Sequence, residues 1–252
     1  MSTKTELPPN PRVLVIDIGG SHVKVLVTGK TRPRRAISGA GMTPQEMVTK
    51  VRRLSRGWAF DVVSIGYPGP VVHGRPVHDP PNLGPGWLGF DFGKAFRRPV
   101  KVLNDAAMQA LGSYQGGRML FLGLGTGLGA AMIIDGQLQP FELGHLPYRK
   151  GRTYEDYIGE RGLRRLGRKR WRRRVFDIVS KLIAALEPTT VVIGGGNARK
   201  LKRLPPSTQL VDNRNAFRGG FMMWLSRSSA YSYPAGARAT REKSTGSTPS
   251  GR

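Results

Sequence analysis

The chain has 252 residues, with 41 Lys and Arg against 16 Asp and Glu, a formal charge of +25, 38% hydrophobic residues and no cysteine. That apolar share can close a core and argues against a wholly disordered chain, while the missing thiols exclude disulfides and thiolate zinc sites and make a reducing, cytoplasmic home the natural one. The charge points to polyanionic partners, among them nucleic acid, acidic lipid and phosphate polymers, without choosing between them.

Residues 1–11 contain no apolar h-region, so no signal peptide is expected. Residues 13–16 (VLVI) and 23–27 (VKVLV) read as two antiparallel strands joined by a tight glycine turn, DIGGSH. Thr43, Pro44 and Glu46 supply an N-cap, a first-turn proline and a capping-box acid, and predict a helix through MVTKVRRL. Residues 61–65 and 100–103 are the next apolar strands, followed by GYPGP and by Asn104-Asp105 with the helix-like stretch AAMQAL. Polar groups just past buried strand ends are where open sheets place their chemistry.

Residues 119–134 form the longest uncharged run, shorter than the ~20 residues of a membrane helix and interrupted by four glycines. They read as strand, turn and strand, and no membrane partner is expected. The glycine-turn hairpin of residues 13–27 thus recurs about a hundred residues later around GLGTGLG, which predicts two related lobes. Val175, Ile178, Val179, Leu182, Ile183 and Leu186 then fall at helical period until Pro188, and residues 190–193 form a strand feeding GGG. The segment FMMWL fits either an interface or the core, and residues 226–252, rich in Ser, Gly, Thr, Arg and Ala, read as a disordered basic tail.

Three glycine turns follow strands: Gly19-Gly20 after Asp17, the LGTGLG of residues 124–129, and Gly194 to Gly196. Glycine lets backbone N–H groups approach phosphate oxygens that a Cβ would obstruct. A single such turn is more simply structural; three together point to phosphate. None has the GxxxxGK[ST] pattern or opens a dinucleotide-binding helix as GxGxxG. Asp17 can hold magnesium through water or cap its own turn. Asp105 can accept a proton from a hydroxyl that attacks phosphorus, or share a helix N-cap with Asn104. Glu142 and His145, three apart in FELGHLPY, can meet one ligand, with no second His or Cys cluster to support a metal pair.

In chain order, DIGGSHVK, GYPGPV, PNLGPGW, NDAAMQALG, LGTGLGAA, ELGH and IGGGNA resemble the ROK family of sugar kinases, and more closely its polyphosphate glucokinase branch, over roughly residues 12–225. The resemblance implies an α/β, actin/hexokinase-like (ribonuclease H-like) fold. It implies a small N-terminal lobe over 12–103, a larger lobe over 104–225 whose last helix packs back on the first, and a sugar/phosphate cleft between them. It further implies magnesium-dependent phosphoryl transfer to a sugar 6-hydroxyl, with Asp105 as general base. Asn104, Glu142, His145 and Glu155 are then sugar ligands, and Gly69, Asn82 and Trp87 belong to loops lining the sugar pocket. On the donor side stand Asp17, Gly19, Gly20, Ser21, Lys24, Gly125, Thr126 and Gly127, with Asp17 on magnesium through water. Gly195, Gly196 and Asn197 would meet a nucleotide's ribose and base. Many members carry a cysteine-rich zinc motif after ELGH; no zinc is expected in this cysteine-free chain. The first phosphate turn, at residue 17, leaves no room for the helix-turn-helix of ROK repressors, and a homodimer is the family's expectation.

Residues 161–174, RGLRRLGRKRWRRR, hold nine Lys and Arg and no acid. They form either a solvated helix face or, through Arg164, Arg165, Arg168, Lys169 and Arg170, a cationic track for linear polyphosphate. Trp171 fits the apolar stripe better than a base-stacking role, and any nucleic-acid binding is expected to be salt-sensitive and without sequence preference. The expected function is a glucokinase using polyphosphate, with ATP open as donor through GGGNARKL. A strictly ATP-dependent ROK hexokinase and a catalytically idle sugar or polyanion sensor are the alternatives.

Overall fold

The computed structural model describes residues 7–212 and 214–225; the tail expected over 226–252 lies outside the described residues. Strand β1 (Val13–Ile18) pairs antiparallel with β2 (His22–Val27), which places Asp17 opposite Lys24. Gly19 N donates to His22 O at 3.0 Å to close the turn. Strand β3 (Arg34–Ile37) continues the meander. Helix α1 (Pro44–Leu54) has the expected capping box: Glu46 N donates to Thr43 Oγ1 at 3.3 Å, and Thr43 N to Glu46 Oε2 at 3.1 Å. Its Met47, Val48 and Val51 enter the core with Leu14, Ile16 and Val25. Strand β4 (Val62–Tyr67) returns parallel to β1. A small hairpin, β5 (Val71–Val72) with β6 (Arg75–Pro76), and helix α2 (Phe92–Phe96) lead to β7 (Val100–Asn104), parallel to β4.

Helix α3 (Asp105–Ser113) starts directly off β7. Strands β8 (Arg118–Leu124), β9 (Leu128–Ile134) and β10 (Gln137–Phe141) form a second antiparallel meander. A single 3-10 turn, the hairpin β11 (Pro147–Arg149) and β12 (Arg152–Thr153), helix α4 (Tyr154–Ile158) and the long α5 (Glu160–Leu186) follow. The chain then lays β13 (Thr190–Gly194) parallel to β8 and β14 (Thr208–Leu210) parallel to β13, and ends its described part in α6 (Asn215–Met222).

The two sheets run β3-β2-β1-β4-β7 and β10-β9-β8-β13-β14. Position for position they repeat: three antiparallel strands, then two added parallel by crossovers. This duplication is the actin/hexokinase-like, ribonuclease H-like arrangement. Helix α3 packs on strands of both sheets and on α6, which lies across β1 and β4. Glycine makes the α3–α6 contact close enough: a Cβ at Gly112 would collide with the Asn215 carbonyl, and one at Gly219 with that of Met108. Ser64 Oγ donates to Gly220 O at 2.6 Å, Lys101 Nζ to Met223 O at 2.6 Å, and Trp224 Nε1 to Ser64 Oγ at 2.9 Å. FMMWL therefore serves the core, with Met223 buried and Leu225 exposed.

The strands without an apolar signature in the sequence are the sheet edges β3, β10 and β14, which carry few buried side chains. The helix expected from the 172–186 stripe reaches back to Glu160, with a break at Gly167, whose φ of 69° and ψ of 161° interrupt the basic run. Trp171 is buried and its Nε1 donates to Ile158 O at 2.9 Å, so it is core. Among the described residues no helix is long and apolar enough to cross a membrane.

Candidate active site

The ends of β1, β4 and β7 face the glycine turns of the second sheet across a cleft of about 370 Å³. Asp105 lies on its floor because β7 stops there and α3 begins. Asn104 is the N-cap: its Oδ1 accepts from Ala107 N at 3.1 Å, and its Nδ2 donates to Gly69 O at 3.1 Å, tying that loop to the strand end. With the cap supplied by Asn104, the Asp105 carboxyl is left to line the cleft, accepting from Ala106 N at 2.8 Å. Burial, reinforced by the charges of Asp17 and Glu142, pushes its pKa up to about 7. A carboxylate poised there is matched to proton transfer near neutral pH.

Asp17, 7% exposed, accepts from Lys24 Nζ at 2.9 Å across the β1–β2 pair, and both line the cleft. Gly20 lies against Asn82, whose Cβ would be 3.4 Å from a Cβ added there. On the opposite wall, Glu142 precedes the 3-10 turn and its carbonyl accepts from His145 N at 3.2 Å. Burial raises the Glu142 carboxyl above its ordinary range, the Glu155 charge adds to this, and His145 opposes it. The Glu155 carboxylate occupies the space over Gly127, where a Cβ would strike it, and lies within 3.4 Å of a Cβ built on Gly144. The glycine turn of residues 124–129 is braced by its own backbone and by α5: Gly125 N donates to Gly127 O at 3.2 Å, and Glu160 N donates to Gly125 O and Thr126 O at 3.1 and 3.0 Å. Gly195, at φ 86°, presses so close to Leu124 that a Cβ would collide with its backbone.

The cleft thus gathers Asp17, Gly19, Gly20, Lys24, Gly69, Asn82, Asn104, Asp105, Gly125, Thr126, Gly127, Glu142, His145, Glu155, Gly195 and Gly196. Three expected residues do not line it. Ser21 stands outside, exposed, its carbonyl accepting from Ser38 N at 3.0 Å. Trp87 is fully buried against Tyr67 and Phe92, with Nε1 donating to Gly84 O at 2.8 Å; its indole has more to gain from the first-lobe core than from a wet pocket. Asn197 turns inward, 5% exposed, donating from Nδ2 to Gly125 O at 3.0 Å and accepting from Lys200 Nζ at 2.7 Å, so it ties the third glycine loop to the second. The cations of α5 also lie elsewhere. Arg164 pairs with Glu160 at 3.0 Å and Arg165 donates to Asp156 O at 2.7 Å, while Arg168, Lys169 and Arg170 are exposed. Gln109 lines the cleft unannounced; its position one helical turn after Asp105 was the available signal.

Among the described residues no group of three or more His, Cys, Asp and Glu side chains is placed to hold a metal ion. Magnesium keeps waters and takes one or two carboxylates plus substrate phosphates rather than a protein cage. Asp17, facing the cleft beside the glycine turns, is the carboxylate in position for it.

The chain is similar to the polyphosphate glucokinase of Mycobacterium tuberculosis, 28% identical over 225 residues that cover 79% of this chain and 82% of that one. It superposes on the inorganic polyphosphate/ATP-glucomannokinase of Arthrobacter sp. strain KM with a TM-score of 0.72 and 26% identity, over 85% of this chain and 98% of that one. The fold is shared with a ROK family glucokinase from Streptomyces griseus solved with glucose and AMPPNP, at a TM-score of 0.69 and 16% identity over 84% and 98% of the two chains. Residues 13–153, which span the first sheet, Asp105 and the central glycine turn, match the ROK family profile, and the chain belongs to the ROK family.

Proposed function

We propose that this chain is a sugar kinase that phosphorylates the 6-hydroxyl of glucose, with inorganic polyphosphate as its donor and ATP as a second one. The observation that carries the reading is the place of Asp105: a carboxylate with a pKa of about 7 at a helix start, lining one cleft with the glycine turns and with Glu142, His145 and Glu155. The sugar's O6 attacks the terminal phosphorus as its proton passes to Asp105. The bridging P–O bond breaks, and its electron pair leaves on the shortened polyphosphate or on ADP. Glu142, Glu155, His145 and Asn82 orient the sugar, and backbone N–H groups at Gly20 and Gly127 receive the donor's oxygens. When bound, magnesium supplies neutralisation of charge on the phosphates, with Asp17 in its hydration shell.

Polyphosphate is favoured by the names of the Mycobacterium and Arthrobacter relatives. Donor use of ATP is favoured by Gly195 and Gly196, which reach the cleft. The test is formation of glucose 6-phosphate with magnesium, run in parallel with long-chain polyphosphate and with ATP, and with Asp105→Asn as control. Turnover higher with polyphosphate and lost in the variant supports the reading. Turnover with ATP alone overturns the donor assignment, and none with either donor overturns the kinase.

A further inference from the structure

Glu142, His145 and Glu155, which line one cleft, all come from the short stretch 142–155. That stretch belongs to neither five-stranded sheet, because β11 and β12 pair with each other alone. A two-stranded ribbon is marginal in water by itself, so its place depends on what it packs against. Tyr148 is the residue of β11 that is not exposed. Its ring meets those of Tyr154 and Tyr157 edge-on, with centroids 5.6 and 4.8 Å away, and so ties β11 to α4. Tyr154 N donates to Leu146 O at 2.9 Å and Tyr157 Oη to Arg149 O at 3.3 Å, which closes the same corner.

Beyond the rings, the Tyr148 phenol donates to Asp177 Oδ2 on α5. The neighbours of Asp177 in that helix, Val175, Ile178 and Val179, are buried in the second-lobe core with Leu120 and Leu122, so the carboxylate has a fixed base. Lys181 Nζ donates to its Oδ1 at 2.7 Å, Arg149 Nη2 lies 3.9 Å from Oδ2, and Arg174 Nη1 donates to the phenol oxygen at 3.5 Å. The Lys181 and Tyr148 hydrogen bonds hold the Asp177 carboxyl below the ordinary carboxylate range, and the phenol's bond to it is charge-assisted.

We propose that Tyr148 and Asp177 are positioning residues for the sugar: their bond fastens the wall bearing Glu142, His145 and Glu155 to α5, so that these three stand assembled before glucose enters. The inference rests on the kinase reading above and deepens it. Neither residue lines the cleft, so both act through the three that do. A loosened wall leaves only a fraction of the molecules with their sugar ligands in place, and the apparent glucose affinity falls by that fraction. The complex, once formed, is the same one. The cost therefore falls on glucose binding and spares the chemical step and the donor.

The test compares the wild-type chain with Tyr148→Phe, Asp177→Asn and the double variant. Glucose binding is followed by calorimetry, turnover by steady-state kinetics with both donors, and the wall by hydrogen exchange of the backbone amides of residues 142–158. Tyr148→Phe keeps the ring stack and removes the donor; its glucose affinity is expected to fall about tenfold, with kcat and donor KM within about twofold of wild type. Asp177→Asn keeps an acceptor for the phenol but not the charge, and its glucose affinity should fall about threefold. The double variant should bind glucose no more weakly than Tyr148→Phe, because both changes remove one bond. Exchange over residues 142–158 should quicken in Tyr148→Phe without glucose and return to the wild-type rate at saturating glucose. Unchanged glucose affinity in Tyr148→Phe overturns the assignment, and so does multiplication of the two single effects in the double variant or an equal loss in kcat. If Tyr148→Phe does not fold, Asp177→Asn carries the affinity and exchange measurements, and wild-type values in both overturn the assignment. Absence of turnover in the wild-type chain overturns the kinase reading instead, since calorimetry and exchange do not depend on it.

Discussion

The cleft and the α5 surface are opposites in charge and in construction. The cleft gathers four carboxylates and one lysine from strands, helix starts and a turn around the two sheets, whereas residues 161–174 set nine cations on a helix broken at Gly167, most of them exposed and none in the cleft lining. The contrast shows that net charge describes the field around a molecule and says little about its reaction centre. Catalytic carboxylates need low solvent access and fixed neighbours to shift their proton affinity. A surface that attracts a polyanion needs neither and works over a Debye length, about 8 Å at physiological ionic strength.

Four experiments break or sharpen that contrast. The largest effect is expected for Asp105→Asn, which keeps the shape of the cleft floor but cannot take the O6 proton. Turnover should fall by at least about 10³-fold with glucose affinity little changed, measured by steady-state kinetics and calorimetry. Glu155→Gln tests the opposite wall: with the charge over Gly127 removed, KM for glucose should rise roughly 10- to 100-fold while donor KM is unchanged. Third is pH. Asp105 acts deprotonated and its pKa stands near 7, so kcat/KM should climb about tenfold per pH unit below 7 and level off above it. Because that pKa is raised from 3.8, the folded chain holds a proton there that the unfolded chain has lost, so this group's contribution to stability declines as pH rises from about 4 to 7. A pH–rate profile and thermal unfolding over the same range check both signs. The smallest effect belongs to α5: reversing Arg168, Lys169 and Arg170 to Glu should raise KM for polyphosphate about three- to tenfold at low salt, fade at high salt, and leave KM for glucose unchanged. An unchanged polyphosphate KM at low salt makes α5 a solvated face.

Much of the site was legible before the fold. Thr43 and Glu46 announce α1 because a capping box is a local arrangement of residues three apart. Asp17, Asp105 and the glycine turns stand at strand ends, and strand ends are visible as the close of apolar runs. What escaped was direction. Trp87 and Asn197 sit beside residues that do line the cleft, yet one indole turns to Tyr67 and one amide to Gly125. The edge strands β3, β10 and β14 escaped because a strand bonded on one side and wet on its faces has no apolar alternation to read.

By itself, the sequence determined the two glycine-turn hairpins and their repetition, the apolar strands behind them, and a carboxylate just past the strand of residues 100–103. These follow from local rules, since turn chemistry, capping and hydrophobic period act between residues a few positions apart. Only the tertiary structure decided that Asp17, Asp105, Glu142 and Glu155 share one hollow with Lys24, that the α5 cations lie outside its lining, and that Asn197 serves as a brace. Those outcomes depend on the packing of α3 and α6 between the two sheets, through contacts such as Gly112 with Asn215 and Ser64 with Gly220, which join residues about 100 to 156 positions apart. The charge of a site is set by which distant strand ends that packing brings together.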